Sequence, residues 1–166
     1  MLNILSLKGD EVIVDSGCGS GFYSLEITKR LVDGKVISVD ISDEMLAKLR
    51  RQVDKKRLNN SIDIRKGDCA YLPVEDNSAD VGIIVAVWHH LKDPDKANKE
   101  LFRVIKPSGR IVAIDFKNGG HHKQDIENKH KTLGIEEMKS ILKDAGFVNI
   151  KAEIVGSWVV GYADKP

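Results

Sequence analysis

Short apolar runs alternate with segments of helical period along the chain. "EVIVD" (11–15) is a brief apolar run closed by an acid, the pattern of a buried strand. Three glycines follow at 17, 19 and 21, and Phe22, Leu25 and Ile27 then open a helix. The pattern carries that helix to about Val32, where "DG" at 33–34 ends it. "KVISVD" (35–40) reads as the second strand. Ser42 and Asp43 suit the N-cap of a helix whose Met45, Leu46, Leu49 and Val53 share one face. "SIDIRKGD" (61–68) alternates and predicts a third strand, and "ADVGIIVAVW" (79–88) is the best candidate for a central one. "DPDKANKELFRVIK" (93–106) starts with a capping Asp and a Pro at the first helical position. "KPSG" then turns the chain into "RIVAIDF" (110–116), a fifth strand. "GIEEMKSILKDAG" (134–146) is a last helix, closed by Gly146. Two short strands follow near 147–154 and 157–162, joined around Gly156.

Strands separated by helices predict an α/β fold: a doubly wound, Rossmann-like, seven-stranded sheet, mostly parallel. Two parallel neighbours need a long crossover, so the close final pair cannot both be parallel and the last strand runs antiparallel. No repeat or linker interrupts the order, and residues 1–166 read as a single domain. The one long irregular stretch is "KNGGHHKQDIENKHKTL" (117–133).

Composition narrows the function classes. Lys and Arg number 26 against 25 Asp and Glu, leaving a formal charge of +1. That balance argues against a nucleic-acid partner, which calls for a basic excess or stripe. The most basic stretch, Lys48 to Arg57, reads as the solvated face of a helix. No run approaches the ~18 apolar residues of a membrane span, and the N-terminus lacks the pattern of a signal peptide. Two cysteines, Cys18 and Cys69, form no metal-ligand pattern, so the expectation is a cytoplasmic protein with free thiols and no metal.

The glycine turn carries the chemistry. In open α/β sheets ligands sit beyond the carboxyl ends of the strands, where the turn after the first strand lies. Gly17, Gly19 and Gly21 permit positive φ and close approach of a ligand to the main chain. The third glycine falls one place early for the dinucleotide fingerprint G-x-G-x-x-G. Asp15 discriminates better, because a carboxylate at the strand end disfavours a pyrophosphate and favours a cation. S-adenosylmethionine carries an ammonium, a sulfonium and no phosphate.

The motifs taken together resemble the class I S-adenosylmethionine-dependent methyltransferases, specifically the methyltransferase type 11 group that includes the ubiquinone and menaquinone biosynthesis enzymes. An acid followed by x-G-x-G-x-G matches Asp15 to Gly21, and the acid ending the second strand matches Asp40 in "VISVDIS". "KGDCAYLPVEDNSADV", "VWHHLKDP" and "IKPSGRIVAIDF" match the three later motifs in order. The resemblance covers about residues 9–116; from 134 to 162 only the order of elements and "DAGF" support it.

The resemblance assigns cofactor-binding roles to Asp15, Gly17, Cys18, Gly19, Gly21, Asp40, Ile41, Asp68, Cys69, Val85 and Ala86. Asp40 would accept both ribose hydroxyls; the alternative is a plain acid at a helix N-terminus. Ile41 would pack on the adenine face. Asp68 would accept from the adenine amino group and the Cys69 N–H would donate to the ring; otherwise Asp68 caps a turn. Asp15 would act through the ammonium, or else order the glycine turn. Cys18 serves by its backbone. The carbonyls of Val85 and Ala86 would lie near the methionine part of the cofactor.

His89 and His90 are the catalytic candidates, since an imidazole near neutral pH can serve as a base for a phenol or alcohol. In the bland reading one ring packs or caps and the other is solvated. His121, His122 and His130 carry no ligand motif, and covering the substrate suits their loop better than metal binding.

Methyl transfer from a sulfonium needs alignment more than activation, which leaves the acceptor unmarked in sequence. "VAVWHHL" lacks the Asn/Asp-Pro-Pro-aromatic signature of enzymes that methylate base amines, and two cysteines are few for arsenite methylation. The expected activity is therefore methylation of a small-molecule acceptor. A cofactor-binding module without its own catalysis and a nicotinamide-dependent oxidoreductase are the alternatives. Relatives usually carry helices before the first strand. The substrate site is accordingly expected to be open, or completed by a second copy in a homo-oligomer or by the 117–133 loop.

Overall fold

The computed structural model describes residues 5–117 and 133–166. Seven strands form its centre: β1 (Val12–Ser16), β2 (Lys35–Asp40), β3 (Ile62–Lys66), β4 (Ala79–Val85), β5 (Ile105–Phe116), β6 (Val148–Val155) and β7 (Trp158–Asp164). They hydrogen-bond in the order β3-β2-β1-β4-β5-β7-β6. β1 to β5 pair in parallel, while β7 is antiparallel to both β5 and β6. The chain winds outward from β1 to β3 and then returns to β4, so the switch point lies between β1 and β4. This is the doubly wound fold that the alternation of patterns predicts.

The helices α1 (Phe22–Thr28), α2 (Asp43–Lys56), α3 (Pro94–Val104) and α4 (Ile135–Asp144) cover both faces of the sheet. Val14, Val39, Ile84 and Ala113 pack with Leu101 and Val104 of α3 and with Met138 and Leu142 of α4. Their strand neighbours Ile13, Val36, Ile83 and Val112 point the other way, onto Leu25 and Ile27 of α1 and Leu46, Leu49 and Val53 of α2. The period-2 alternation of strands buried on both sides thus splits the core into two layers. Ser42 caps α2 by accepting from the Met45 N–H at 3.3 Å, and Asp93 caps α3 by accepting from Lys96 N–H at 2.9 Å.

Three boundaries differ most from the sequence reading. α1 ends at Thr28 rather than near Val32. The Gly9 carbonyl takes the N–H groups of Val32, Asp33 and Gly34 at 2.8–3.2 Å and pulls the chain out of the helix, leaving Val32 exposed. β4 stops at Val85 rather than 88, because Ala86 turns left-handed (φ 55°) and gives its N–H to the Ile114 carbonyl at 2.8 Å. β5 begins at Ile105, five residues early, so Lys106–Gly109 are an excursion inside the strand rather than a turn before it. The register jumps from Ala79↔Ile105 to Val81↔Arg110, and Ser108 and Gly109 exchange backbone hydrogen bonds with Lys165. His121, His122 and His130 lie outside the described residues.

Candidate functional site

The carboxyl ends of β1, β2 and β4 are level, with Ser16 registered against both Val39 and Ile84. The glycine turn rises from this ledge. Gly17, Gly19 and Gly21 have φ of 77°, 54° and 85°, which side-chain-bearing residues rarely adopt. A Cβ on Gly17 would lie 2.5 Å from Val87 Cγ2, and one on Gly21 would collide with Leu49. One on Gly19 would meet nothing within 4 Å. Two glycines therefore let the turn pack, and the third presents bare backbone to open space.

Four of the turn's N–H groups are already engaged. Gly17 and Cys18 donate to the Val39 carbonyl at 2.8 and 2.9 Å, Gly21 donates to the Cys18 carbonyl, and Gly19 donates to Asp40 Oδ2 at 2.8 Å. These are the donors with which a phosphate loop would hold its ligand. Asp40 also accepts from the Ser42 N–H through Oδ1 at 2.8 Å, so its carboxylate is fixed across the mouth of the turn. Each oxygen keeps a second lone pair for an incoming hydroxyl. Ile41, beside it, is 64% exposed, an apolar side chain left without cover at the rim.

Asp15 is buried at the end of β1. Its Oδ2 accepts the Ser24 hydroxyl at 2.5 Å, and Ser24 in turn lies 2.8 Å from the Ser38 hydroxyl. Ser24 has one proton to give, so Ser38 must donate to Ser24. Burial pushes the Asp15 carboxyl up to about 6, opposed by the Ser24 hydroxyl and assisted by the nearby charge of Asp40. A buried carboxyl in that range is stabilised as an anion by an arriving cation.

Burial pushes the Cys18 thiol far up, and the charges of Asp15 and Asp40 push it further. Burial raises Cys69 in the same way. Neither thiol is activated as a nucleophile. Asp68 is exposed; its Oδ1 accepts the Ala70 N–H at 2.8 Å and its carbonyl accepts the Tyr71 N–H. The turn-capping contact is thus present.

The other side of the ledge is built from side chains. The left-handed Ala86 swings the chain into a short 3₁₀ turn, Trp88–His90, with Val87 packed against Gly17. His89 Nδ1 lies 2.9 Å from Asp115 Oδ1, and Asp115 is 2% exposed at the end of β5. Phe116 meets the His89 ring edge-on at 5.6 Å and stacks on Trp158 of β7 at 4.2 Å. His90 is exposed, its ring centroid 3.9 Å from that of His89.

The predicted residues Asp15 to Gly21, Asp40, Ile41, Val85, Ala86, His89 and His90 therefore line one edge of the sheet. Sequence reasoning missed Ser24, Ser38 and Asp115. A usable signal existed for Asp115: like "VIVD" and "VISVD", "IVAID" is an apolar run ended by an aspartate. Among the described residues, no group of three His, Cys, Asp or Glu is placed to hold a metal, and no helix is long and apolar enough to cross a membrane.

These features fit S-adenosylmethionine: an open backbone face at Gly19, a fixed carboxylate at Asp40, an uncovered apolar rim at Ile41 and a buried acid at Asp15. Comparisons with known proteins agree. Residues 14–113 match the family model described as "Methyltransferase domain". The chain is 27% identical over 164 residues to an arsenite methyltransferase of Halobacterium salinarum, covering 89% of this chain and 42% of that protein. It is 30% identical over 112 residues to a demethylmenaquinone methyltransferase of Lactobacillus johnsonii, covering 67% of this chain and 46% of that protein. The chain thus spans less than half the length of these curated relatives. A crystal structure of an S-adenosylmethionine-dependent methyltransferase from Aquifex aeolicus superposes with a TM-score of 0.84 at 28% identity, over 99% of this chain and 87% of that one. The chain belongs to the methyltransferase-domain family, within the class I S-adenosylmethionine-dependent methyltransferases.

Proposed function

We propose that this chain binds S-adenosylmethionine and transfers its methyl group to a small-molecule acceptor. The observation that carries the reading is the glycine turn: the N–H groups of Gly17, Cys18, Gly19 and Gly21 are spent internally, the Asp40 carboxylate is fixed across its mouth, and a second acid, Asp15, is buried close by at the end of β1. That arrangement repels a pyrophosphate and suits a cationic cofactor. Gly19 offers close backbone approach, Asp40 accepts the ribose hydroxyls, Ile41 covers the adenine, and Asp15 faces the positive end. Asp68, Cys69 and the carbonyls of Val85 and Ala86 complete the contacts. When bound, the cofactor supplies an electrophilic methyl with a good leaving group. The protein's own task is then to align the acceptor and exclude water. His89, His90, Phe116 and Trp158 surround the place where the acceptor would dock.

Calorimetry with S-adenosylmethionine, its demethylated product and NAD tests the cofactor. Binding of the first two is expected, and binding of NAD alone would sink the reading. Product formation over a panel of phenol, quinol, amine, thiol and arsenite acceptors then separates a working enzyme from a binding module and selects the acceptor. Arsenite belongs in the panel because of the relative so named, although both thiols here are buried.

A further inference from the structure

The pairing of His89 with Asp115 goes beyond cofactor binding. We propose that Asp115 is a positioning residue that holds His89 as proton acceptor, and that the chain therefore takes acceptors whose methylated atom bears a hydrogen. The proposal rests on the methyltransferase reading above and names its substrate class.

Asp115 is a carboxylate in a strand whose four preceding residues, Ile111, Val112, Ala113 and Ile114, are all buried and apolar. Its Oδ1 accepts the Phe116 N–H at 2.7 Å and faces His89 Nδ1 at 2.9 Å. Its Oδ2 is buried with no hydrogen-bond partner among the described residues. Leaving a buried polar atom unpaired is unfavourable, more so for a charge, so packing alone does not account for an acid here. A cation forming on the adjacent ring does account for it, because the buried charge is then offset.

The backbone is bent to make the pair. Ala86 holds a left-handed conformation, which a residue with a side chain rarely adopts. Its N–H is fixed to the carbonyl of Ile114, the residue before Asp115. That bend returns the 3₁₀ turn over the end of β5 and sets His89 on Asp115. Phe116, itself backed by Trp158, closes the edge of the ring. Among the described residues, Asp115 from β5 and His90 from its own turn face His89.

An ionised Asp115 accepts only from an Nδ1–H, which places the lone pair of the neutral ring on Nε2. In the transfer step the pair of electrons in the acceptor's bond to hydrogen becomes, or frees, the pair that bonds the methyl carbon. The carbon–sulfur bond breaks with its electrons left on sulfur, and the proton passes to Nε2. The imidazolium formed faces the Asp115 carboxylate, so each charge created has a counterpart. An acceptor with no hydrogen on its methylated atom has nothing for this pair to do.

The test has one arm that needs no cofactor. Nitrogen shifts of the His89 ring, followed by NMR against pH, are expected to report the Nδ1–H tautomer. Asp115→Asn is expected to move the midpoint down by about one to two pH units. The second arm uses the acceptors selected by the panel. With a hydroxyl acceptor, His89→Gln is expected to lower the rate at pH 7 by about 100-fold and Asp115→Asn by about tenfold or more, with KM little changed. With a phenol acidic enough to be ionised at the assay pH the losses should be about tenfold smaller, because its proton has already left, and both variants should bind S-adenosylmethionine as the parent does. A ring titration indifferent to Asp115→Asn, equal losses with both acceptor types, or a panel that yields only aprotic acceptors would overturn the proposal. Each of those results leaves the methyltransferase reading intact, whereas failure of the parent protein to bind S-adenosylmethionine removes both. If Asp115→Asn does not fold, His89→Gln, at a partly exposed position, decides the question with the same two acceptors.

Discussion

The two ends of the sheet treat their charges in opposite ways. At the amino end, Glu11 is buried but accepts the N–H groups of Lys8 and Gly9 at 2.8 Å each, with Arg110 at 3.3 Å. Asp80 accepts the Val12 N–H at 2.8 Å and Lys106 at 2.7 Å. Burial pushes both acids up, yet these partners together hold both below the ordinary carboxylate range. At the carboxyl end Asp15 is pushed up to about 6 by its burial, and Asp115 keeps an unpaired oxygen. The same residue types close the fold at one end and stand ready for a ligand at the other. A buried acid with its partners in place speaks for stability; one without them marks where a partner is missing.

The contrast can be broken most severely at Asp40. Asp40→Ala removes a carboxylate that fixes Gly19 and faces the ribose. It is expected to weaken S-adenosylmethionine about 100-fold by calorimetry, the worth of one or two charge-assisted hydrogen bonds. Unchanged affinity would mean that the ribose lies elsewhere.

Asp15 sharpens the contrast through pH. Below about pH 4 its carboxyl is protonated both folded and unfolded and costs nothing. As pH rises toward 6 only the unfolded chain ionises it, so folding loses stability. Above about 6 the full difference, on the order of 3 kcal/mol, is present. Asp15→Asn should remove this slope in denaturant titrations and raise stability near pH 7, while weakening the cofactor about tenfold. Binding to the parent protein near pH 6 should release a proton, which calorimetry in buffers of different ionisation enthalpy detects.

At the amino end the signs reverse. Arg110 donates to the Leu5 carbonyl and to Glu11, so Arg110→Ala is expected to lower stability by about 2 kcal/mol with cofactor affinity unchanged. An affinity loss there would deny that the two ends are independent. The smallest effect on folding falls at Gly19. Gly19→Ala meets open space and bears only its positive φ, about 1 kcal/mol by chemical melts, yet it should weaken the cofactor about tenfold by filling the open face.

The same two ends explain what could be read in advance. The cofactor half of the site is a backbone device. Its glycines and the aspartates at 15 and 40 stand at spacings set by one strand–turn–helix unit, so they show in the linear sequence. The acceptor half is made by side chains from distant elements. His89 meets Asp115 26 residues on, and Phe116 meets Trp158 only through β5–β7 pairing. "IVAID" marks Asp115 as a strand-end acid, but nothing local in it or in "HHL" says that the two meet. Strand and helix identities were legible from period and caps. The boundaries that moved did so for tertiary reasons: the Gly9 carbonyl at the end of α1, Ala86 at the end of β4, and Lys165 at the excursion within β5.

The position of β7 between β5 and β6 has a consequence for how the protein is born. A ribosome releases β1 to β5 well before β7, so β5 waits as a long, apolar, unpaired edge. The β6–β7 hairpin can close on its own around Gly156, but it must then dock beside β5 to satisfy that edge. Asp115 is registered against Val159 and Phe116 against Trp158. The glycine turn can therefore take shape on a nascent chain, whereas the acceptor side matures last. In a cell short of chaperones, the window between those two events is when this chain is most exposed to aggregation through β5.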